Sequence, residues 1–174
     1  MSQNQELIET YRGAVYPWHC DHMGHMNVMW YVGKFDEASW QLLAGLGLTT
    51  ARFKRDGIGM AAVDQHIEYK RELHAGDVVT IRSAVLGVAE KSIRIVHQMR
   101  NDETGEIAAI TIMVGVYFDT TIRRARPLPA DVRERAAQII AERGGDDRDA
   151  HDRDDHDIVS LVLDSVATGS MAHR

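Results

Sequence analysis

The sequence predicts an α+β fold in which one long helix lies across one curved antiparallel sheet. Two observations predict it. Residues 27–46 repeat apolar side chains at spacings of three and four, whereas the later segments alternate with a period of two. The connections between those later segments are short and turn-rich, which favours antiparallel neighbours.

The first strand is expected at residues 9–16 (ETYRGAVY). In the helix that follows, Val28, Tyr31, Val32, Phe35, Ala38, Leu42 and Leu46 form the stripe, with Trp30, Trp40 and Leu43 adding bulk beside it. A helix apolar on several sides should be wrapped by other structure. Asn27 is a competent N-cap, and Gly45 and Gly47 mark the end. Residues 49–59 read as a linking segment. Strands are expected at 63–72 and 78–86 around the turn HAGD, then at 92–99 and 107–118 around the turn NDETGE. In the last strand Ile110, Ile112, Val114, Val116 and Phe118 share one face, and Ile93, Ile95 and Met99 share one in the strand before it. Pro127 and Pro129 precede a final helix at 130–143. The sheet has exposed edges and a single covering helix, so a homodimer is expected, with a homotetramer as the higher assembly.

The chain has 174 residues, 44% hydrophobic and 26% charged, enough for one domain with a buried core. Its net charge is −6. Residues 144–174 hold eight Asp and three Arg, a net of −5, which leaves −1 for residues 1–143. The chain therefore divides into a domain at 1–143 and an acidic tail at 144–174, expected to be solvated, with a short apolar stretch at 158–167. The body has no basic field of the kind nucleic-acid binding needs. No stretch reaches the roughly 20 apolar residues of a membrane helix, so no membrane partner is expected. The opening MSQNQELIET lacks a basic-then-apolar pattern, and Cys20 is a lone cysteine; a cytoplasmic location is the expectation.

The chemistry is concentrated in YPWHCDHMGHMNVMWY, residues 16–31. A loop running into a helix start presents unpaired amides and a positive dipole end, a site for a developing oxyanion. Asp21 and His25 bring a carboxylate and an imidazole to the same loop, and Gly24 permits a sharp turn or close approach of a ligand. Such a set suits acyl transfer. The plainer alternatives stay open: Asp21 as a turn cap, His25 as a structural tie, Asn27 as a cap only. A metal cluster of His19, Cys20, Asp21, His22 and His25 does not match zinc spacing, so no metal is expected.

The pattern D-x-x-G-H-x-N, here Asp21, Gly24, His25 and Asn27, ahead of a long apolar helix resembles the hotdog-fold acyl-CoA thioesterases of the 4-hydroxybenzoyl-CoA thioesterase type. The resemblance runs from about residue 9 to 140 in element order. It implies a hotdog fold, with a curved sheet of about five strands around a central helix, and hydrolysis of an acyl-CoA to a carboxylic acid and CoA without a cofactor. It implies that Asp21 attacks the thioester or activates water, and that the Val28 backbone N–H holds the thioester oxygen. His25 matches a histidine of the related plant acyl-carrier-protein thioesterases, although Met23 stands where those enzymes have Asn. Substrate contacts are expected from Gly24, Asn27 and Tyr31, and phosphate contacts from Lys91 and Ser92, with Arg123, Arg124 and Arg126 nearby in sequence. Glu37, at mid-helix, is read as structural or as supporting the site from behind, and His66 as a half-exposed strand histidine rather than a lining of the acyl pocket. Relatives of this fold include enoyl-thioester hydratases and dehydratases and non-catalytic acyl-CoA-binding modules, and these are the alternatives. Trp18, Trp30 and Trp40 could pack the core or stack on a cationic acyl group. A short-to-medium acyl group is the expectation.

Overall fold

The elements follow one another as β1 (Ile8–Ala14), α1 (Val28–Gly45), α2 (Thr50–Asp56), β2 (Ile58–Tyr69), β3 (Val78–Val88), β4 (Ser92–Asn101), β5 (Ile107–Asp119), β6 (Arg124–Ala125) and α3 (Ala130–Glu142). They belong to a computed structural model that describes residues 7–142. The acidic run and the apolar stretch at 158–167 lie outside the described residues.

One antiparallel sheet has the order β1-β3-β4-β5-β2, with the short β6 added beside β5. Register shifts at Glu9/Tyr11, Ala62/Asp64, Val85/Gly87 and Met99/Arg100 mark bulges, which raise twist and bend the sheet around α1. The turns predicted at HAGD and NDETGE are present, with Gly76 at φ +103° and Gly105 at φ +72° supplying left-handed backbone.

Alternation decides what each strand offers α1. Ser39 of α1 lies 2.9 Å from His97 Nε2, so His97 faces the helix, and Ile93, Ile95 and Met99 face it with His97. In β5, Ala109 belongs to the helix-side core, while Ile110 and Ile112 pack with Ala84, Leu86 and Val96 on the opposite face. The most apolar set of β5 is therefore turned away from α1. At the C-terminal end of α1, Leu42, Leu43 and Leu46 meet Ile93, Ile95, Tyr117 and the α3 residues Val132, Ala136 and Ile140. The Leu, Ile and Val side chains buried to this degree contribute about 1.5–3 kcal/mol each.

A buried polar chain crosses this core. His97 Nδ1 is 2.5 Å from Ser83 Oγ, which is 2.6 Å from Thr10 Oγ1. Ser39 Oγ donates to the Phe35 carbonyl at 2.8 Å. These bonds tie α1, β4, β3 and β1 together, and they satisfy polar groups whose burial would otherwise be costly. Burial lowers the His97 pKa to about 3, so the ring is neutral.

Two expectations are corrected. The linking segment contains α2: Thr49 caps it by accepting from Arg52 N at 3.3 Å, and Gly57, at φ +65°, ends it. Its side chains are too polar to produce an apolar stripe, and Arg52 holds it to α3 through a two-pronged pair with Asp131 at 2.8 and 2.9 Å. The sheet also covers α1 from one side only. Val28 and Val32, expected within the buried stripe, are 57% and 40% exposed, and Met29 and Trp40 share that open side. Among the described helices none is long and apolar enough to cross a membrane.

Candidate active site

The segment from Val15 to Asn27 joins β1 to α1, and local pairing holds it. Pro17–His19 form one 3-10 turn, Cys20 and Met26 make an antiparallel bridge, and the Asn27 amide donates to the His19 carbonyl at 2.9 Å. Inside this clasp Asp21 N donates to His25 O at 3.1 Å and Gly24 N to Asp21 O at 3.0 Å. Gly24 sits at φ +86°, which is why the tip of the turn needs glycine. The Met26 amide donates to Leu73 O at 2.7 Å, anchoring the clasp to the segment after β2.

Asp21 is half-buried, and both its carboxylate oxygens are engaged. Oδ1 accepts from the Met23 amide at 2.9 Å and Oδ2 from Asn27 Nδ2 at 2.9 Å. The Met23 amide first, then Asn27, hold the Asp21 carboxyl below its usual pKa, with the nearby His25 and His22 acting in the same direction. Asn27 has a second bond: its Oδ1 accepts from Met29 N at 3.0 Å, which caps α1. One side chain thus fixes the carboxylate and starts the helix. The Val28 amide, at the first helical position, has no carbonyl one turn back within the helix to bond, and the Val28 residue is exposed.

His25 is half-buried with Nε2 3.7 Å from Glu72 Oε1, so its ring is turned to the segment after β2. Tyr31 is 4% exposed, donates its hydroxyl to the Arg71 carbonyl at 3.3 Å, and packs edge-on to Tyr69. Desolvation raises its pKa to about 12. His66 is exposed on β2, with Nε2 3.6 Å from Glu68. Glu37 lines an open groove with Glu9, Tyr11 and Gln41 between β1 and α1.

Asp21, Gly24, His25, Asn27 and Val28 are brought together; Lys91 and Ser92 are not with them. The clasp adjoins the sheet end that holds Ala14, Val78 and Asn101. Lys91 and Ser92 open β4 at the other end, roughly 30 Å away at 3.3 Å per strand residue. That far end also carries Arg124, in β6, and Arg126, whose guanidinium bonds Asp119 at 2.8 Å.

Sequence reasoning gave no role to His19 or Lys34. His19 is 7% exposed, accepts the Tyr16 amide on Nδ1 at 3.0 Å, and lies 4.3 Å from the Trp30 ring. Burial first, then the charge of Lys34, lowers its pKa. Lys34 is 4% exposed, with Nζ 2.8 Å from Tyr11 Oη and 3.3 Å from Ala14 O. A buried lysine on an apolar helix is the available signal, since it requires partners. Among the described residues no group of three or more His, Cys, Asp or Glu side chains is arranged to hold a metal ion.

The model of the Thioesterase-like superfamily matches residues 15–136. The chain is 24% identical over 134 residues to betainyl-CoA thioesterase of Pseudomonas aeruginosa, covering 77% of this chain and 84% of that protein. It is 29% identical over 109 residues to L-carnitine dehydrogenase/betainyl-CoA thioesterase of Agrobacterium fabrum, covering 63% of this chain and 22% of that longer protein. A Staphylococcus aureus protein solved in complex with CoA superposes with a TM-score of 0.70 at 19% identity, over 80% of this chain and 84% of that one. Both curated relatives are named betainyl-CoA thioesterases. With the clasp, the open helix start and the curled antiparallel sheet all inside the matched span, this chain belongs to the Thioesterase-like superfamily and is a thioester hydrolase with the hotdog fold.

Proposed function

We propose that the chain hydrolyses a short acyl-CoA whose acyl part carries a quaternary ammonium group, using Asp21 as the reacting carboxylate and the Val28 amide as the oxyanion donor. The observation that carries this reading is the Asp21 carboxylate, fixed by Met23 and Asn27 directly before the start of α1. The names of the two curated relatives support the acyl class.

The thioester oxygen sits on the Val28 N–H, where the helix dipole favours negative charge. Asp21, a carboxylate at neutral pH as any Asp is, takes a proton from water as the water oxygen bonds to the carbonyl carbon. The carbon–sulfur bond then breaks and CoA leaves as a thiolate, which takes up a proton. In the nucleophilic variant, an Asp21 oxygen bonds to the carbon, and the carbon–sulfur bond breaks to release CoA thiolate and leave a mixed anhydride. Water then hydrolyses that anhydride to the carboxylic acid and the free Asp21 carboxylate, its released proton going to the thiolate. A thiolate is a good enough leaving group that neither route needs a metal or other cofactor. His25, with Glu72 beside it, orients the loop and moves protons, and Gly24 and Asn27 shape the carbonyl site.

The distance between the clasp and Lys91–Ser92 favours a homodimer, or a homotetramer built from it, in which the phosphate contacts come from another copy. The outer edge of β2 and the open side of α1 support that assembly. The proposed setting is the cytoplasm, where acyl-CoA is made and used.

An acyl-CoA panel read with a thiol reagent tests the reading. Release of free CoA, fastest with betainyl-CoA, is the expected result. Loss of enoyl absorbance without thiol release would instead mean hydration, and saturable binding without turnover would mean a carrier.

A further inference from the structure

Beside the clasp lies an aromatic surface that the hydrolytic chemistry does not use. Tyr16 and Trp18 are stacked, with centroids 4.4 Å apart and planes 4° from parallel. Both are nonetheless open to solvent, Tyr16 at 48% and Trp18 at 66%. Each ring shields one face of the other, so the exposure falls on the outer face and edges of the pair. Leaving an indole this open forgoes the burial that usually places tryptophan inside.

The surface is held in place rather than free to swing. The Tyr16 amide donates to His19 Nδ1, and the His19 ring meets Tyr16 and Trp18 edge-on at 5.6 and 5.8 Å while lying against Trp30. Trp18 meets the His19 ring edge-on, and His19 in turn accepts the Asn27 amide on its carbonyl and lies against Trp30 in the first turn of α1. The open indole is therefore joined through His19 to Asn27 and Trp30 at the start of α1, where the Val28 amide lies.

We propose that Trp18, backed by Tyr16, receives the quaternary ammonium end of the acyl group, so that the enzyme selects acyl-CoAs with a trimethylammonio group beside the thioester carbonyl. This rests on the proposed placement of the thioester at Asp21 and Val28. A quaternary ammonium cannot donate a hydrogen bond, so an aromatic face is the chemistry that recognises it. In a betainyl group the nitrogen is bonded to the carbon next to the carbonyl, so a receptor at the start of α1 is where this cation would fall. Of the charges that reach His19, the Lys34 ammonium, bonded to Tyr11 and Ala14, acts ahead of Glu37 and in the opposite direction, and burial lowers the His19 pKa beyond both, so the aromatic face and not a carboxylate must supply the attraction for the cation.

The test compares betainyl-CoA with 3,3-dimethylbutyryl-CoA, which has the same shape with carbon in place of the charged nitrogen. The readouts are kcat/KM for the two esters and, by calorimetry, Kd for their uncleavable ketone analogues with CH2 in place of sulfur. The full chain should prefer the cation by about tenfold in both readouts. Trp18→Leu should bring both ratios close to one, and Trp18→Phe should keep part of the preference. Equal Kd values for the two analogues in the unaltered chain, or a ratio unchanged by Trp18→Leu, would overturn the proposal. Cleavage of both esters at equal rates with equal Kd would leave the hydrolase standing without this receptor. A cation preference in Kd with no cleavage of either ester would leave the receptor standing without the hydrolase.

Discussion

Asn27 Nδ2 donates to the Asp21 carboxylate at 2.9 Å while Asn27 Oδ1 accepts the amide of Met29. The same side chain therefore couples the charge state of Asp21 to the start of α1. Asn27→Ser should keep the cap, since Ser caps about as well as Asn, but it is too short to hold the carboxylate. Asp21, ionised above its lowered pKa, loses its charge as the pH falls through that value. With Asn27 shortened, the acid limb of kcat/KM moves up toward the ordinary carboxylate value of about 3.9. Asn27→Ala should show the same shift and also lose about 1 kcal/mol of stability in urea denaturation.

Gly24 should resist replacement for a backbone reason alone. At φ +86° an added Cβ meets nothing within 4 Å, so Gly24→Ala carries no packing clash. The left-handed conformation itself costs about 1–2 kcal/mol for alanine. The expected result is a stability loss of that size, with reduced turnover because the turn that presents Asp21 relaxes. Unchanged stability would mean that the turn adopts another geometry in solution.

His97 should make the fold sensitive to acid. Its pKa is lowered by burial to about 3, against an ordinary value near 6.5. Between those values the unfolded chain binds a proton that the native ring refuses, so stability falls as the pH drops from about 6.5 toward 3. Urea midpoints measured from pH 7 to 4 should show this fall. His97→Gln should flatten the slope while lowering stability at pH 7, because Ser83 and Ser39 lose their fitted partner.

Much of this was legible in the sequence because it is local. Asp21, Gly24 and Asn27 are six residues apart or fewer, and the bonds among them close within one turn. The α1 stripe at Tyr31, Phe35, Ala38 and Leu42 and the alternation in β4 follow directly from helix and strand periods. The features that were not legible depend on long-range placement or lack an apolar signal. Residues 50–56 form a helix that is capped and salt-bridged without an apolar stripe. Val28 and Val32 fit the stripe by spacing but lie on the side that the sheet does not cover. The separation of Lys91 from Asp21 is set by strand register, and the fit of His97 between Ser39 and Ser83 depends on contacts 58 and 14 residues apart in sequence.

Hydrolysis by the carboxylate at the helix start is tested most directly by single-turnover cleavage of betainyl-CoA by Asp21→Asn, with Kd for CoA measured in parallel. Asn keeps the shape and can still accept from Met23, so folding and CoA binding should stay near those of the unaltered chain, while the rate falls by at least about a hundredfold. A rate within a few-fold of the unaltered chain would contradict a catalytic role for Asp21 and move the chemistry elsewhere.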